Sequence, residues 1–212
     1  MDKKGNFLKG ALILSIAGAI SKILGALYRI PLARLLGGEG MGLYQMAYPI
    51  YTTILSLATA GVPVAISVLV SRRETEGFNG DSRRIFRVSL MILFALGLVL
   101  TLLIMQSAQF LAVKVLREPR AYYAIWAVAP AVFFAGLMSV FRGYFQGHQW
   151  MIPTAVSQVV EQLFRVTAVL IMAYLLFPRG IEYSAAGATF GAVVGGVAGL
   201  VVLIVFFWYF QK

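Results

Sequence analysis

Residues 88–113 read VSLMILFALGLVLTLLIMQSAQFLAV and contain no charged side chain. A helix of this length would extend about 39 Å, which exceeds the hydrocarbon core of a bilayer at about 30 Å. Polar and apolar residues do not alternate along the stretch, as they would in a transmembrane β-strand. The stretch therefore predicts a membrane-spanning α-helix.

Five other apolar stretches of comparable length occur along the chain. Residues 40–71, 121–141 and 183–211 are uncharged, whereas residues 6–36 and 151–177 carry charges within them. The pattern predicts an all-α polytopic membrane protein with about six transmembrane helices. These form a single transmembrane domain over residues 1–212, with helices at roughly 7–36, 41–70, 85–113, 120–146, 152–177 and 183–210.

The composition supports the same fold class. Of the 212 residues, 60% are hydrophobic and 12% are charged, against roughly 45–50% and about 25% in soluble domains. The mean hydropathy is +0.86. These values exclude a cytosolic enzyme, a disordered protein and a secreted disulfide scaffold. The absence of cysteine also excludes thiolate catalysis and Cys-based zinc sites.

The net charge of +10 indicates basic loops that face anionic lipid, and we expect no nucleic-acid partner. With the N-terminus in the cytoplasm, the cytoplasmic loops hold ten Lys and Arg residues and the opposite loops hold four. This asymmetry predicts a multi-pass protein of the cell membrane with both termini cytoplasmic. Residues 17–19 resemble a signal-peptide cleavage site, but the apolar run continues past them and predicts an uncleaved first helix. His148 is predicted to lie in a short cytoplasmic loop as a solvated residue.

Charged residues within the predicted spans are the candidate functional groups, because a charge at mid-bilayer costs about 2.5–3.5 kcal/mol. Lys22 and Arg29 lie about 24 and 35 Å along the first helix, and their seven-residue spacing places them on one face. Arg165 lies near the middle of the fifth helix. Glu161 precedes it by four residues, a spacing that predicts an ion pair on one helix face.

Glycine recurs at every fourth position of the last helix, which indicates close helix packing with a partner that the sequence does not identify. Proline at positions 49, 63 and 130 favours kinks. The sequence contains no paired-carboxylate site, no H-E-x-x-H motif and no phosphate-binding P-loop motif. We therefore expect no catalytic residue, no metal site, no cofactor and no enzymatic activity. The packing glycines are Gly187, Gly191, Gly195 and Gly199.

Two segments carry a resemblance to a known family. The first is SKILGALYR at residues 21–29, followed by Pro31 and by Leu36-Gly37. The second is RGYFQG at residues 142–147, followed by PTA at 153–155 and QVVEQ at 158–162. Together they resemble the polysaccharide-biosynthesis exporters of the MOP superfamily, in the branch of the stage V sporulation proteins and akin to the lipid II flippases. The second segment supplies the motif residues at the cytoplasmic end of its helix, which are Arg142, Gly143, Gln146 and Gly147.

The resemblance implies two six-helix lobes around a central cavity, alternating access and export of lipid-linked sugars. This chain matches a first lobe, so the expected partners are membrane lipid, a lipid-linked saccharide and a second lobe or second copy. The Ser-basic-x-x-Gly pattern at residues 21–25 carries a family cavity cation over to Lys22, whereas Arg29 is offset by about one position. Together with Arg165, a further cation within an apolar span, Lys22 and Arg29 form the predicted site for a polyprenyl diphosphate head group.

Three functions are compatible with these features of the sequence. The first is a flippase for lipid-linked oligosaccharide or peptidoglycan precursor, acting alone or as a half-transporter. The second is a cation-coupled multidrug exporter of the same superfamily, which would favour deep acidic residues, whereas here deep cations outnumber Glu161. The third is a non-transporting component of a cell-envelope assembly.

Overall fold

The computed structural model describes residues 3–76 and 79–211, and every regular element in those ranges is helical. A π-helical turn at Leu111–Val115 extends the fourth helix, and a 3₁₀ turn at Phe177–Arg179 extends the seventh. The prediction of an all-α protein is therefore confirmed. The helices are α1 Lys3–Leu27, α2 Arg29–Thr59, α3 Val62–Thr75, α4 Asn79–Phe110, α5 Ala121–Val128, α6 Pro130–Gly147, α7 Ile152–Leu176 and α8 Ile181–Gln211.

Within the described residues, five helical stretches are long and apolar enough to cross a membrane. The first of them contains 67 residues and would extend about 100 Å if it were straight, which is enough for two crossings. The predicted count of about six helices agrees with this arrangement. The stretches are Lys9–Thr75, Asp81–Val115, Ala121–Gly147, Ile152–Arg179 and Ile181–Phe210.

Gly37 divides the 67-residue stretch. Its φ of 65° and ψ of −172° are non-helical, and a positive φ is readily adopted by glycine. The hydroxyl groups of Tyr28 and Tyr44 are 2.8 Å apart, although sixteen residues of straight helix would separate their Cα atoms by about 24 Å. The chain therefore folds back at Gly37, between the predicted helices 7–36 and 41–70. At Tyr28, between α1 and α2, the chain does not change direction sharply, because the backbone dihedral angles of Tyr28 are helical.

Two of the predicted helices are each divided in the structure. The predicted helix 41–70 breaks at Gly61, which has a φ of 74°, so α3 is a separate helix with Pro63 in its first turn. The predicted helix 120–146 is divided at Ala129 between α5 and α6, and Pro130 begins α6. Proline suits a first-turn position because its missing N–H would be unsatisfied there anyway. Pro49, in contrast, lies inside α2.

The helix predicted at 85–113 begins earlier in the structure, because the apolar span does not show how far a helix continues into polar sequence. The structure begins α4 at Asn79 and places Asp81 in its first turn. A carboxylate in this position interacts favourably with the helix dipole, and charged residues can therefore belong to the helix outside the apolar span.

Contacts between turns show which ends of the helices lie together. Glu39, beside the glycine turn, forms an ion pair with Arg120 in the loop before α5. The hydroxyl of Tyr183, at the start of α8, lies 3.4 Å from that of Tyr123 in α5. These loops therefore share one end of the helical bundle, as alternating crossings require. Arg120 also binds Glu118, and this contact lowers the pKa of the Glu118 carboxyl.

The opposite end of the bundle is joined through Glu74 of α3. Its carboxylate accepts a hydrogen bond from Ser82 Oγ at 3.0 Å and lies 3.2 Å from His148 Nε2. The His148 side chain is only 11% exposed and packs against the rings of Tyr144 and Phe210. The interpretation of His148 as a solvated loop residue is therefore wrong, because the imidazole links α3 to the end of α6.

The four regularly spaced glycines of α8 all face a neighbouring helix within the chain. A Cβ atom on Gly191 would lie 2.8 Å from the backbone nitrogen of Val169, and one on Gly195 would lie 2.6 Å from the carbonyl oxygen of Glu161. The corresponding atoms on Gly187 and Gly199 would also meet α7. Glycine thus permits close backbone approach of α7 and α8. This face is filled by the chain itself and does not serve as a docking surface for a second lobe.

The RGYFQG segment performs a similar packing role between α6 and α3. A Cβ atom on Gly143 would lie 2.7 Å from the carbonyl oxygen of Pro63, and one on Gly147 would lie 2.7 Å from the Cβ atom of Val70. The two glycines therefore allow α3 to lie directly against α6. Gln146 is half-buried between them on the same helix.

We predict that Gly195→Ala destabilises the fold, because the added methyl group meets the α7 backbone rather than a movable side chain. Overpacking of this kind costs about 1–3 kcal/mol. Gly18→Ala is the matched control, because nothing lies within 4 Å of a Cβ atom at Gly18, and alanine is the better helix former. Thermal unfolding of the purified variants in detergent checks the difference. Equal stability of the two variants would contradict this packing.

Candidate functional site

A cavity of about 450 Å³ lies between the α1–α2 segment, α5, α7 and α8. Its volume falls within the range of about 300–1,000 Å³ that is usual for ligand pockets. The three cations that the sequence singled out, Lys22, Arg29 and Arg165, all line it. The other lining residues are Ser21, Gly25, Ala26, Tyr28, Tyr44, Tyr48, Tyr51, Val128, Gln162, Val169, Ala188, Thr189 and Ala192.

Lys22 and Arg29 reach the cavity from one continuous helical face. Lys22 belongs to α1 and Arg29 is the first residue of α2, and the nearly regular helix at Tyr28 preserves their spacing. Both side chains are exposed, so each cation can bind a ligand without first breaking a buried ion pair. Arg34 is also exposed but does not line the cavity.

Arg165 approaches the same cavity from α7. Its Nη2 atom donates a hydrogen bond to Glu161 Oε1 at 2.5 Å, which is the ion pair expected from the four-residue spacing. The side chain is 23% exposed. Among the residues that the structure describes, Arg165 Nε is one of the buried polar atoms that have no hydrogen-bond partner. Arg165 thus lines the cavity with one guanidinium donor that makes no hydrogen bond within the described residues.

Glu161 has a second partner, Arg142, and this ion pair was not predicted from the sequence. Its Nη2 atom donates to Glu161 Oε2 at 2.8 Å, and its Nε atom donates to Ser157 Oγ at 3.3 Å. Arg142 lies near the end of α6, as expected, but its side chain is only 18% exposed and turns toward α7. From the sequence, Arg142 is one of the ten Lys and Arg residues assigned to the cytoplasmic side. Its pairing with Glu161 is not predictable, because the two residues are nineteen positions apart on different helices.

A second cavity of about 280 Å³ adjoins the first. It is lined by Arg142 and Glu161 and shares Tyr48, Tyr51 and Arg165 with the larger cavity. The two cavities therefore form one polar strip along the inner face of α2 and α7, with Arg165 at their junction.

The strip carries an excess of positive charge. Glu161 is shared between Arg142 and Arg165, so these three residues together keep one positive charge. Lys22 and Arg29 add two more, with no ion pair recorded for either within the described part of the chain. Cations held beside low-dielectric walls attract anions and hydrogen-bond them strongly. The arrangement therefore suits an anionic ligand.

A tyrosine cluster forms the wall of the larger cavity that belongs to the α1–α2 segment, and sequence reasoning missed it as well. Tyr44, Tyr48 and Tyr51 lie on α2, and Tyr28 immediately precedes that helix. Their spacings of four and three residues place the α2 tyrosines on one helix face. This spacing could have identified the tyrosine face from the sequence, but aromatic residues also occur in membrane helices as interfacial anchors.

In the described ranges, no group of three or more His, Cys, Asp or Glu residues is arranged to hold a metal ion. Gly143 and Gly147 are engaged in packing against α3, and the α8 glycines pack against α7. The charged and aromatic side chains of the larger cavity are its three cations and its tyrosines, and Glu161 lines the adjoining cavity.

Comparisons with known proteins identify a family, curated relatives and solved structures to which the chain is similar. A model of the family described as "Polysaccharide biosynthesis protein" matches residues 7–212. The chain is 42% identical over 206 residues to stage V sporulation protein B of Bacillus subtilis (strain 168), covering 97% of this chain and 40% of that protein. It is 35% identical over 216 residues to lipid II flippase MurJ of the same strain, again covering 97% and 40%. The chain thus spans about two fifths of the length of these relatives.

Two solved structures share the fold. One is an outward-facing multidrug resistance MATE family transporter of the MOP superfamily, with a TM-score of 0.78, 18% identity, and coverage of 96% of this chain and 46% of that one. The other is a MOP superfamily transporter from Pyrococcus furiosus, with a TM-score of 0.72, 19% identity, and coverage of 89% and 43%. The chain therefore has the fold of one lobe of a MOP-type transporter, as expected.

We predict that Glu161→Gln lowers the stability of the folded chain, because it leaves Arg142 and Arg165 without their carboxylate. Breaking a buried ion pair from one side costs about 3–5 kcal/mol. Glu118→Gln is the control, because its pair with Arg120 lies at the surface, where such pairs contribute about 0–1 kcal/mol. The measurement is the free energy of unfolding in detergent. A Glu161→Gln variant as stable as Glu118→Gln would show that the triad does not stabilise the fold.

Proposed function

This chain belongs to the polysaccharide biosynthesis protein family, and from that premise we propose that it forms one lobe of a flippase. The cargo is a polyprenyl-diphosphate-linked saccharide, such as a lipid-linked oligosaccharide or a peptidoglycan precursor, and it crosses the cytoplasmic membrane. A second six-helix lobe or a second copy completes the transport path, because this chain spans about two fifths of its curated relatives.

The observation that carries the proposal is the convergence of Lys22, Arg29 and Arg165 on one cavity. A polyprenyl diphosphate has a doubly phosphorylated head that must leave water, and a hydrocarbon tail that can remain in the bilayer. Charge-assisted hydrogen bonds from Lys and Arg offset the loss of hydration of the head. Transfer across the membrane requires no bond to form or break, so no catalytic residue is assigned.

The ion-pair triad gives Arg165 a distinct part in this function. If Glu161 paired only with Arg165, the pair would be neutral and would add little attraction for a diphosphate. Because Arg142 also neutralises Glu161, Arg165 retains positive character toward the cavity, and its unpartnered Nε atom can donate to a phosphate oxygen.

A cation-coupled multidrug exporter fits the same geometry less well. Such a transporter would use a carboxylate that is free to bind a proton or a metal cation. Glu161 lines the smaller cavity, and both of its carboxylate oxygens already accept hydrogen bonds from arginine. The polarity of the site therefore favours an anionic cargo.

We predict that Lys22→Ala weakens binding of a polyprenyl diphosphate by roughly 10- to 150-fold, the equivalent of one lost charged hydrogen bond of about 1.5–3 kcal/mol. Lys22→Arg should retain part of the affinity, since the charge remains but its shape changes. Lys9→Ala is the matched control, because Lys9 is an exposed cation of the same helix outside the cavity lining.

The measurement is the dissociation constant of geranylgeranyl diphosphate for the purified variants in detergent, with folding checked by size-exclusion chromatography. Unchanged affinity in a folded Lys22→Ala variant would reject the head-group role of Lys22. It would leave this lysine as a structural charge whose ammonium reaches toward the interface.

We further propose that both termini are cytoplasmic, on the basis of the distribution of Lys and Arg residues. Because the chain contains no cysteine, single cysteines report sidedness directly. Thr75→Cys should be protected from an impermeant thiol reagent added outside intact cells, and Arg179→Cys should be labelled. Both side chains are exposed. Labelling of Thr75→Cys but not of Arg179→Cys would invert the proposed orientation.

A further inference from the structure

The tyrosine cluster shares the larger cavity with the three cations. Four of the ten tyrosines of the chain line this one cavity, and three of them come from a single face of α2. The concentration exceeds what interfacial anchoring explains, because tyrosines of that kind occur at both ends of membrane helices rather than around a polar cavity.

The tyrosine rings are arranged so that one of them presents a free surface. The ring centroids of Tyr44 and Tyr48 are 6.4 Å apart with an interplanar angle of 29°, and those of Tyr48 and Tyr51 are 6.2 Å apart at 58°. Tyr44 and Tyr51 are buried, whereas Tyr48 is 41% exposed. The hydroxyl of Tyr44 is held by that of Tyr28 at 2.8 Å. Tyr48 is therefore supported on both sides and remains available to a ligand.

The chemistry of this wall suits a sugar ring better than a hydrocarbon chain. An aromatic face carries negative charge density, which attracts the slightly positive C–H groups on one face of a pyranose ring. Polar groups also line the cavity. Among the described residues, Ser21 Oγ is a buried atom without a hydrogen-bond partner, and Gln162 contributes an amide. Both can bond to sugar hydroxyls.

A hydrocarbon chain has a better site elsewhere on the molecule. A groove between α7 and α8 is lined entirely by valine, alanine and phenylalanine, including Val160, Phe164 and Val197. It lacks hydroxyl and charged groups. The contrast between this groove and the tyrosine wall indicates that the cavity is built for a ligand that is both anionic and hydroxylated.

We infer that Tyr48, supported by Tyr44 and Tyr51, stacks against the first sugar ring of the cargo while Lys22, Arg29 and Arg165 bind its diphosphate. The inference rests on the proposed function and extends it, since it assigns a separate subsite to the saccharide. The chain thereby binds a polyprenyl diphosphate that carries a sugar more tightly than one that does not.

The test compares two probes on the full chain purified in detergent. One probe is geranylgeranyl diphosphate, and the other is the same lipid diphosphate bearing one N-acetylglucosamine. The wild-type chain should bind the sugar-bearing probe about tenfold more tightly, because burial of roughly 50–60 Å² of apolar contact contributes about that factor. Tyr48→Leu should lose this ratio and keep its affinity for the bare lipid diphosphate within about twofold.

Two further variants separate stacking from other effects. Tyr48→Phe keeps the ring and should keep the wild-type ratio. Tyr174→Leu is the matched control, because Tyr174 is 69% exposed on α7 and lies outside the cavity lining; it should also keep the ratio. The inference is overturned if Tyr48→Leu retains the ratio, if Tyr48→Phe loses it, or if the wild-type chain binds both probes equally.

The failure of this inference is distinguishable from the failure of the proposed function. Equal binding of both probes, with loss of both in Lys22→Ala, overturns the sugar subsite and leaves the diphosphate site intact. Absence of binding of either probe to the folded wild-type chain would overturn both.

Discussion

The structure depends on the carboxylate of Glu161, which accepts hydrogen bonds from arginines of two helices. An isolated carboxylate or guanidinium in an apolar span is costly, and the triad lets three such groups share one low-dielectric region. Helix α8 also packs at this level, because Gly195 approaches the Glu161 carbonyl and Gly199 approaches its Cβ atom. The triad thus joins α6 and α7 through charge, and the glycines bring α8 against the same turn.

The triad also sets the charge balance of the polar strip. One negative charge shared by two arginines leaves a positive remainder, and this remainder lies where the two cavities meet at Arg165. Lys22 and Arg29 add their charges from the opposite wall without paired carboxylates in the described residues. A transporter for cationic compounds would require the reverse balance. The same three residues that hold the helices together therefore give the cavity its polarity.

Glycine and proline positions bring the two walls of the cavity together. The reversal at Gly37 returns the chain so that Tyr44 lies beside Tyr28, and this places the α2 tyrosines opposite α7. Close packing of Gly187 to Gly199 against α7 holds α8 near enough to close one side with Ala188, Thr189 and Ala192. Residues far from the cavity in sequence are therefore responsible for its shape.

The all-helical membrane architecture follows from the sequence alone, because an apolar stretch of this length satisfies its own backbone hydrogen bonds in a bilayer when it is helical. The sequence also identified Lys22, Arg29, Arg165 and Glu161, since charges within apolar spans stand out locally. Three relations are visible in the folded structure alone: Arg142 is the second partner of Glu161, the α8 glycines face α7, and four tyrosines line the same cavity as the cations. These relations join residues on different helices. Helical periodicity specifies the face on which a side chain lies, but which helix packs against that face depends on the packing of the whole bundle.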